Sequence, residues 1–374
     1  MDFSLTEEQS TVRELARKIL EDLASNDRIR QVEAEEPVFD RDLWRELAKA
    51  NLLGVAIGEK HGGNGLGFFT LCLLLEEIGR SVAPVPALAT LALGALPLEQ
   101  GAGDAAKQRW LPAVASGEAV LTAALQEAGS DDPTRPLTEA HSDGQGFRLS
   151  GEKILVPAAQ LADAILVSAR TSEGKGGLFL VDPDAKGLTL EHQQTTDRQP
   201  HARLRLDAVP LSADARIGDS ATLAWLTDRA TTALCAVQLG VSERALAMTA
   251  EYGVERVQFD RPIGSFQAVH QRAADAYILL EAMRLTTWDA AWRLEAGEAA
   301  SGAVEVAKYW AAEGGQFVGY AAQHLHGGIG IAVDYPLHRY YLWAKQNELS
   351  LGSAPVQLER IGARLAEGEL AQPS

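Results

Sequence analysis

The spacing of apolar residues changes twice along this chain, and that order constrains the fold more than any other feature. Up to about residue 118 apolar side chains recur at the helical period, between 119 and 218 they alternate or run continuously as in strands, and from 219 onward the helical period returns. The order predicts an α+β protein with a helical domain at 1–118, a β domain at 119–218 and a helical bundle at 219–374.

Local signals refine this pattern at four places. Thr6-Glu7-Glu8-Gln9 has the sequence of a capping box and predicts the start of the first helix. The Gly62–Gly65 run predicts a loop and lacks the lysine and hydroxyl residue of a phosphate-binding P-loop. Pro112 predicts the end of the N-terminal helical region, because proline removes a helix hydrogen bond. The last strand of the β domain is predicted to end near Pro210.

Composition limits the possible partners and compartments. The chain has 374 residues, a mass of 40.0 kDa and a formal net charge of -17, which argues against nucleic acid as a partner. The N-terminus lacks a basic region followed by an apolar one, and no apolar run reaches membrane-spanning length, so neither secretion nor a membrane partner is expected. With Cys72 and Cys235 as its only cysteines, the sequence predicts a cytoplasmic protein without disulfides or a zinc site.

A turn between two amphipathic helices is the best candidate for a binding site. One apolar stripe runs from Leu234 to Tyr252 and a second from Phe266 to Met283, and Pro262 and Gly264 interrupt the periodicity between them. The pattern therefore predicts a helix, a short turn and a second helix.

The turn carries side chains suited to a nucleotide. Arg256 offers five donors in a planar fork that matches a phosphate, Phe259 offers a stacking face, and Gln267 can donate to and accept from the edge of a heterocycle. An arginine at a helix end can also be simply solvated. The residue types alone leave both interpretations open.

The spacing of these residues resembles a motif of the acyl-CoA dehydrogenase family. Arg256-x-x-Phe259 is followed by Pro262-Ile263-Gly264-x-Phe266-Gln267, and in that family the arginine, phenylalanine and glutamine bind the ADP half of an FAD held mainly by a neighbouring subunit. The resemblance runs from Met1 to about Ala366 and implies a helical domain, a β barrel and a C-terminal four-helix bundle. It also implies α,β-desaturation of an acyl-CoA thioester with FAD as cofactor, and an electron-transferring flavoprotein or a similar electron acceptor.

A second motif in the C-terminal region is similar to the family's Gln-x-x-Gly-Gly-x-Gly loop at the FAD pyrophosphate and adenosine. Here the run is His324-Leu325-His326-Gly327-Gly328-Ile329-Gly330. The resemblance makes His324, Gly327 and Gly328 candidate cofactor-binding residues, with histidine at the place of the usual glutamine. Glycines suit such a loop because the backbone can approach phosphate oxygens closely.

Both positions that carry the catalytic base in relatives lack an acid. The usual base lies in a Tyr-Glu-Gly-Thr stretch after an Ala-Lys pair, and Leu351 stands in its place here. Some members carry the base on the first helix of the C-terminal bundle, where Ala230 is the matching residue. Asp228 and Glu348 are nearby carboxylates that could replace it, although two residues along a helix turn Asp228 away from the Ala230 direction by about 200 degrees.

Two family elements that hold the flavin ring are also altered. The usual Thr-Glu-Pro-x-Ala-Gly-Ser-Asp reads Leu125-Gln126-Glu127-Ala128-Gly129-Ser130-Asp131, which is shorter and lacks the threonine. The usual Trp-Ile-Thr-Asn reads Leu155-Val156-Pro157-Ala158, in which the proline offers neither a side-chain donor nor a backbone N–H.

The resemblance therefore implies half of a heteromeric enzyme. It is closest to the subunit without a catalytic base in bacterial α2β2 acyl-CoA dehydrogenases acting on steroid side-chain CoA thioesters, whose partner supplies an intact glutamate. Two alternatives remain open. One is a self-sufficient homo-oligomeric flavoenzyme with a relocated base, and the other is a non-catalytic scaffold of the same fold.

Overall fold

The computed structural model describes residues 3–368, and its N-terminal part is helical. Thr6 Oγ1 accepts a hydrogen bond from the Gln9 backbone N–H at 3.2 Å, while the Gln9 side chain accepts from the Thr6 N–H at 3.0 Å, which confirms the capping box. The α-helices of this part are α1 Glu7–Leu23, α2 Asn26–Val32, α3 Arg41–Lys49, α4 Gly67–Ser81, α5 Leu96–Gly101 and α6 Asp104–Ala115. A 3₁₀ turn at Glu59–His61 and a π-helix at Leu88–Ala95 separate some of them.

The prediction that Pro112 ends this helical region is wrong by one turn. Pro112 lies inside α6, which continues to Ala115, and the Ser116 N–H still donates to the Pro112 carbonyl at 2.9 Å. Proline removes only its own N–H, so the turn that follows can keep its hydrogen bonds.

An eight-stranded mixed sheet forms the middle of the chain. Its strands are β1 Leu121–Ala124, β2 Glu139–Ser142, β3 Gly146–Pro157, β4 Ala164–Thr171, β5 Gly176–Val181, β6 Leu188–Gln193, β7 His201–Ser212 and β8 Arg216–Asp219. They run in the order β6-β7-β3-β2-β4-β5-β8, and β1 pairs in parallel with the first half of β4. Ile165, Val167, Phe179, Leu204 and Leu206 belong to the core packed against this sheet.

The expectation of a β barrel is wrong, because the strands of the described residues form an open sheet. Within residues 3–368, β6 pairs with β7 and β8 pairs with β5, and the two edge strands do not pair with each other. A barrel requires that last pairing. The prediction that the final strand ends near Pro210 is also wrong, because β7 continues to Ser212 and β8 follows. Arg216-Ile217-Gly218-Asp219 contains a single apolar residue, too few to produce a strand period.

The C-terminal part is a set of long helices. These are α7 Ser220–Glu255, α8 Gln267–Ala296, α9 Ser301–His326, α10 Leu337–Leu349 and α11 Ala354–Glu367. The predicted turn between two helices is confirmed as a short hairpin of β9 Val257–Gln258 and β10 Arg261–Pro262. Helix α9 contacts α8, α10 and α11, and a buried cluster joins α7, α8 and α9 through Leu239, Leu246, Ala276, Leu280, Met283, Val318 and Ala321.

By internal contacts the described residues form two compact units. One lies within Met1–Ser4, Leu75–Ala83 and Thr231–Ser374, and the other within Leu5–Leu74 and Pro84–Ala230. The three-domain boundaries drawn from the sequence stay a prediction. None of the described helices is both long and apolar enough to cross a membrane.

Candidate cofactor-binding site

The Arg256 turn is a tight hairpin with an aromatic tip. Gln258 pairs with Arg261 across the hairpin, and the two residues between them, Phe259 and Asp260, both have positive φ angles, 53° and 62°. Positive φ is unfavourable for a bulky residue without glycine's freedom. Phe259 nevertheless holds this conformation with 88% of its surface exposed, and its ring meets the Phe266 ring edge-on with 6.1 Å between ring centroids.

The hairpin is seated on the last turn of α7 by a glycine contact. A Cβ atom added to Gly264 would lie 2.9 Å from the Gly253 carbonyl oxygen, so only glycine permits this approach. The Ile263 N–H donates to the Arg256 carbonyl at 2.8 Å, and the Arg256 N–H donates to the Tyr252 carbonyl at 2.9 Å. The backbone on both sides of Arg256 is therefore fixed.

The side chains predicted to bind FAD are exposed at this hairpin. Arg256 and Gln267 are exposed, and Gln267 begins α8. Among the residues that the structure describes, the Arg256 guanidinium has no carboxylate partner. An arginine left without an intramolecular anion can accept a phosphate without giving up an existing ion pair.

The glycine loop at the end of α9 presents open backbone. Gly327 follows the last helical residue with φ 62° and ψ −141°, and a Cβ added to Gly327 or Gly328 would meet no atom within 4 Å. Both glycines are exposed, and His324 is exposed in the last turn of α9. The site therefore offers accessible peptide groups, which suit close contact with phosphate oxygens.

Ring stacking brings the hairpin and the glycine loop to the same end of their compact unit. Tyr252, one turn before Arg256, stacks on His326, the residue before Gly327, with 4.4 Å between ring centroids and 19° between planes. Six exposed apolar residues lie on these two segments: Val254, Val257, Phe259, Ile329, Ile331 and Val333. An unpaired arginine, open glycines and an exposed ring fit the ADP half of a dinucleotide, and the apolar surface around them fits coverage by another protein.

The altered ring-side motif forms a buried ion pair in the other compact unit. Glu127 accepts hydrogen bonds from Lys153 Nζ at 2.8 Å, from Thr138 Oγ1 at 2.6 Å and from the Thr138 N–H at 2.8 Å. Lys153 also donates to Ser168 at 2.8 Å. Burial lowers the pKa of Lys153 to about 8. Burial raises the pKa of Glu127, but Lys153 and the hydrogen bonds outweigh it and hold that pKa below its usual value.

No sequence pattern predicted this ion pair. Strand β3 has register shifts between Leu149 and Gly151 and between Lys153 and Val156. Each shift changes the face on which the following side chains lie, so simple alternation cannot place Lys153 in the interior.

The second ring-side element offers no side-chain donor. Pro157 pairs with His201 at the end of β3, and its carbonyl accepts from Thr122 Oγ1 at 2.6 Å. Leu155 and Ala158 adopt positive φ angles of 51° and 53°. The stretch that resembles the family's flavin-contacting element is therefore built from apolar side chains.

Neither of the two positions predicted to match the family's base carries a proton acceptor. Leu351 is half-buried in the loop after α10 with φ 57°, and Ala230 is fully buried in α7. Asp228 is half-buried two residues away. The oxygens of Glu348 accept from Lys345 Nζ at 2.6 Å and from Gln316 Nε2 at 2.9 Å, so this carboxylate is already paired.

Comparison with known proteins identifies the class. Profiles of the N-terminal, middle and C-terminal domains of acyl-CoA dehydrogenases match residues 6–118, 122–209 and 224–366 in turn. The chain belongs to the acyl-CoA dehydrogenase family, a class of FAD-dependent oxidoreductases that act on acyl-CoA. Its cofactor is FAD.

The chain is similar to known proteins both in sequence and in structure. Acyl-CoA dehydrogenase FadE27 of Mycobacterium tuberculosis is 39% identical over 375 residues, covering 98% of this chain and 99% of that protein. The solved Tcur3481-Tcur3483 steroid ACAD variant contains a chain that is 50% identical, with a TM-score of 0.92 over 97% of this chain and 98% of that one. The ChsE4-ChsE5 complex from Mycobacterium tuberculosis contains one that is 39% identical, with a TM-score of 0.94 over the full length of both.

Proposed function

We propose that this chain is the subunit without a catalytic base in a heteromeric acyl-CoA dehydrogenase. The main observation is that this chain keeps exposed groups suited to the ADP half of FAD but lacks the groups suited to its flavin ring and to proton removal. The ADP-binding groups at Arg256, Phe259, Gln267 and the Gly327–Gly328 loop are exposed and open. The base positions and the ring-side motif, in contrast, are apolar or committed to internal pairs.

In this proposal the residues of this chain bind the ADP half of FAD. Arg256 neutralises pyrophosphate charge, Phe259 stacks against the adenosine half, and Gln267 hydrogen-bonds it. The Gly327–Gly328 backbone approaches the phosphates, with exposed His324 beside it. Bound FAD would supply the acceptor for the hydride from the β carbon of the acyl thioester. The partner subunit contributes the glutamate that removes the α proton.

The tip of the hairpin supports a site shared between subunits. Phe259 is held in a strained conformation with its ring almost fully in solvent, a cost that internal packing does not offset. A second protein that covers Phe259 and the neighbouring apolar residues would supply the missing contacts. Such coverage places Arg256 at an interface, where its free guanidinium can reach a cofactor held by the partner.

The proposed substrate and partner follow from the relatives. The Tcur3481-Tcur3483 protein is a steroid ACAD, and ChsE4 and ChsE5 form a complex. By that similarity we assign this chain to an α2β2 enzyme acting on a steroid side-chain CoA thioester, with an electron-transferring flavoprotein or a similar acceptor. A self-sufficient enzyme is less well supported, because the Glu348 carboxylate is already engaged by Lys345 and Gln316 within this chain.

Replacing Arg256 tests the binding role. In the complex with a base-bearing partner, Arg256→Ala removes a charge-assisted contact of about 1.5–3 kcal/mol and should weaken FAD retention roughly tenfold or more. FAD affinity is measured by fluorescence titration of the FAD-stripped complex. Arg148→Ala, at an exposed arginine of β3, serves as the control and should leave the affinity unchanged. Equal affinities for the Arg256→Ala complex and the wild type would refute the role.

A further inference from the structure

A buried histidine connects three segments at the proposed ADP-binding end. His326 Nδ1 lies 2.9 Å from the Ala322 carbonyl oxygen, which can only accept, so Nδ1 carries the proton. Burial lowers the pKa of His326, and in the resulting neutral ring Nε2 is an acceptor. The Tyr335 hydroxyl lies 3.1 Å from Nε2 and therefore donates to it.

Two aromatic rings enclose this histidine. Tyr252 stacks on one face at 4.4 Å, and the Tyr335 ring lies 5.3 Å away, tilted by 50°. We call Tyr252, His326 and Tyr335 the aromatic clasp. His326 is only 4% exposed within it, although it directly precedes two exposed glycines.

Two members of the clasp connect directly to the backbone of the proposed site, and the third is fixed by its own backbone contacts. The Tyr252 carbonyl accepts from the Arg256 N–H at 2.9 Å. His326 is the last residue of α9 before the Gly327–Gly328 loop. Tyr335 is itself fixed, since its N–H donates to the Ala332 carbonyl at 3.0 Å and its carbonyl accepts from His338 Nδ1 at 2.7 Å.

We propose that the aromatic clasp is a positioning device, which sets the separation between the Arg256 hairpin and the Gly327–Gly328 loop so that both reach one dinucleotide. The two segments are 71 residues apart in sequence by their numbering, 256 to 327, and each is joined to the clasp within one helical turn. Gly327 and Gly328 have no side chains with which to fix their own position. The proposal rests on the proposed function, since it concerns the same ADP-binding groups.

If the clasp positions both segments, a change at Tyr335 should alter the Arg256 hairpin as well as the glycine loop. A purely local role would alter the glycine loop alone. Removing the Tyr335 hydroxyl keeps the ring but deletes the hydrogen bond that orients His326. The hairpin contains no group bonded to that hydroxyl in the described residues, so it should respond only if the clasp transmits the change.

The test uses Tyr335→Phe and His326→Phe in the full-length chain. Hydrogen exchange of the chain alone should accelerate both in residues 256–263 and in residues 326–331. FAD affinity of the complex should fall about fivefold for Tyr335→Phe, as expected for one hydrogen bond, and further for His326→Phe, which loses both. Tyr341→Phe, which alters the separate Tyr320–Tyr341 ring pair, is the matched control and should change neither readout.

The possible results separate the two proposals. Faster exchange in both segments together with weaker FAD binding supports the clasp. Exchange that accelerates at the glycine loop alone, or an unchanged FAD affinity while Arg256→Ala still weakens it, overturns the clasp and leaves the proposed function standing. If neither the clasp variants nor Arg256→Ala alter FAD affinity, both proposals fall.

Discussion

At the scale of single residues, the burial of Lys308 could not be predicted from the sequence. Lys308 lies in the first third of α9, fully buried, and its ammonium donates to the Asn347 and Glu348 carbonyls at 3.0 Å each. A lysine in a helical pattern is normally assigned to the solvated face. Its burial follows from the way α10 ends against α9, a tertiary contact that the periodicity of α9 does not contain.

Lys308 predicts a pH dependence of stability. Burial lowers its pKa from 10.5 to about 8. Between those pH values the folded chain has released the proton and the unfolded chain still binds it, so the free energy of unfolding rises with pH. Between pH 8 and 10.5 the free energy of unfolding of the wild type should rise by up to about 3 kcal/mol relative to that of Lys308→Met.

Urea denaturation at a series of pH values measures this difference. Lys175→Met is the control, because Lys175 is exposed and should follow the wild-type profile. If the free energy of unfolding of the wild type does not rise relative to that of Lys308→Met across this interval, Lys308 keeps its ordinary pKa in the folded chain.

At the scale of elements, helix packing depends on small residues that sequence patterns do not mark. The end of α4 crosses α7 so closely that a Cβ on Gly240 would lie 1.8 Å from the Glu76 carbonyl oxygen, and a Cβ on Gly79 would lie 2.1 Å from the Val237 carbonyl oxygen. Two glycines facing backbone atoms fix the distance between these helices.

Gly240→Ala should therefore be strongly destabilising. The methyl group cannot be accommodated by a side-chain shift, so the helices must separate, at a cost of about 3 kcal/mol or more. Gly362→Ala in α11 meets nothing within 4 Å and should instead stabilise the protein by about 0.5–1 kcal/mol through helix propensity. Denaturant midpoints of the two variants measure the contrast, and a neutral Gly240→Ala would disprove the close crossing.

Elements were predictable wherever a local rule sufficed. The capping box at Thr6 and the turn between α7 and α8 depend on residues close in sequence, and both are confirmed. The open edge of the sheet and the short strand β8 depend on pairing between strands distant in sequence. The expected barrel failed for the same reason, because closure is a property of edge pairing and not of any single strand. Helix α6 continues past Pro112 through a local hydrogen bond from the Ser116 N–H to the Pro112 carbonyl, which a rule that ends helices at proline does not include.

At the scale of the whole molecule, the family and cofactor followed from motifs, and the arrangement of the site did not. The spacing of Arg256, Phe259 and Gln267 indicated the family, which the domain matches confirm. The stacking of Tyr252 on His326 joins two motifs that are separate in sequence, and only the structure places them together. The roles of the candidate site residues remain proposals.

The central claim is that the chain binds FAD only together with an unlike subunit that supplies the base. Native mass spectrometry combined with the flavin absorbance of the purified assembly tests it most directly. The account predicts an FAD-free, inactive chain when it is produced alone, and an α2β2 assembly with FAD and thioester dehydrogenase activity when it is co-produced with a partner carrying an intact glutamate. A solitary chain that retains FAD and dehydrogenates an acyl-CoA would contradict it.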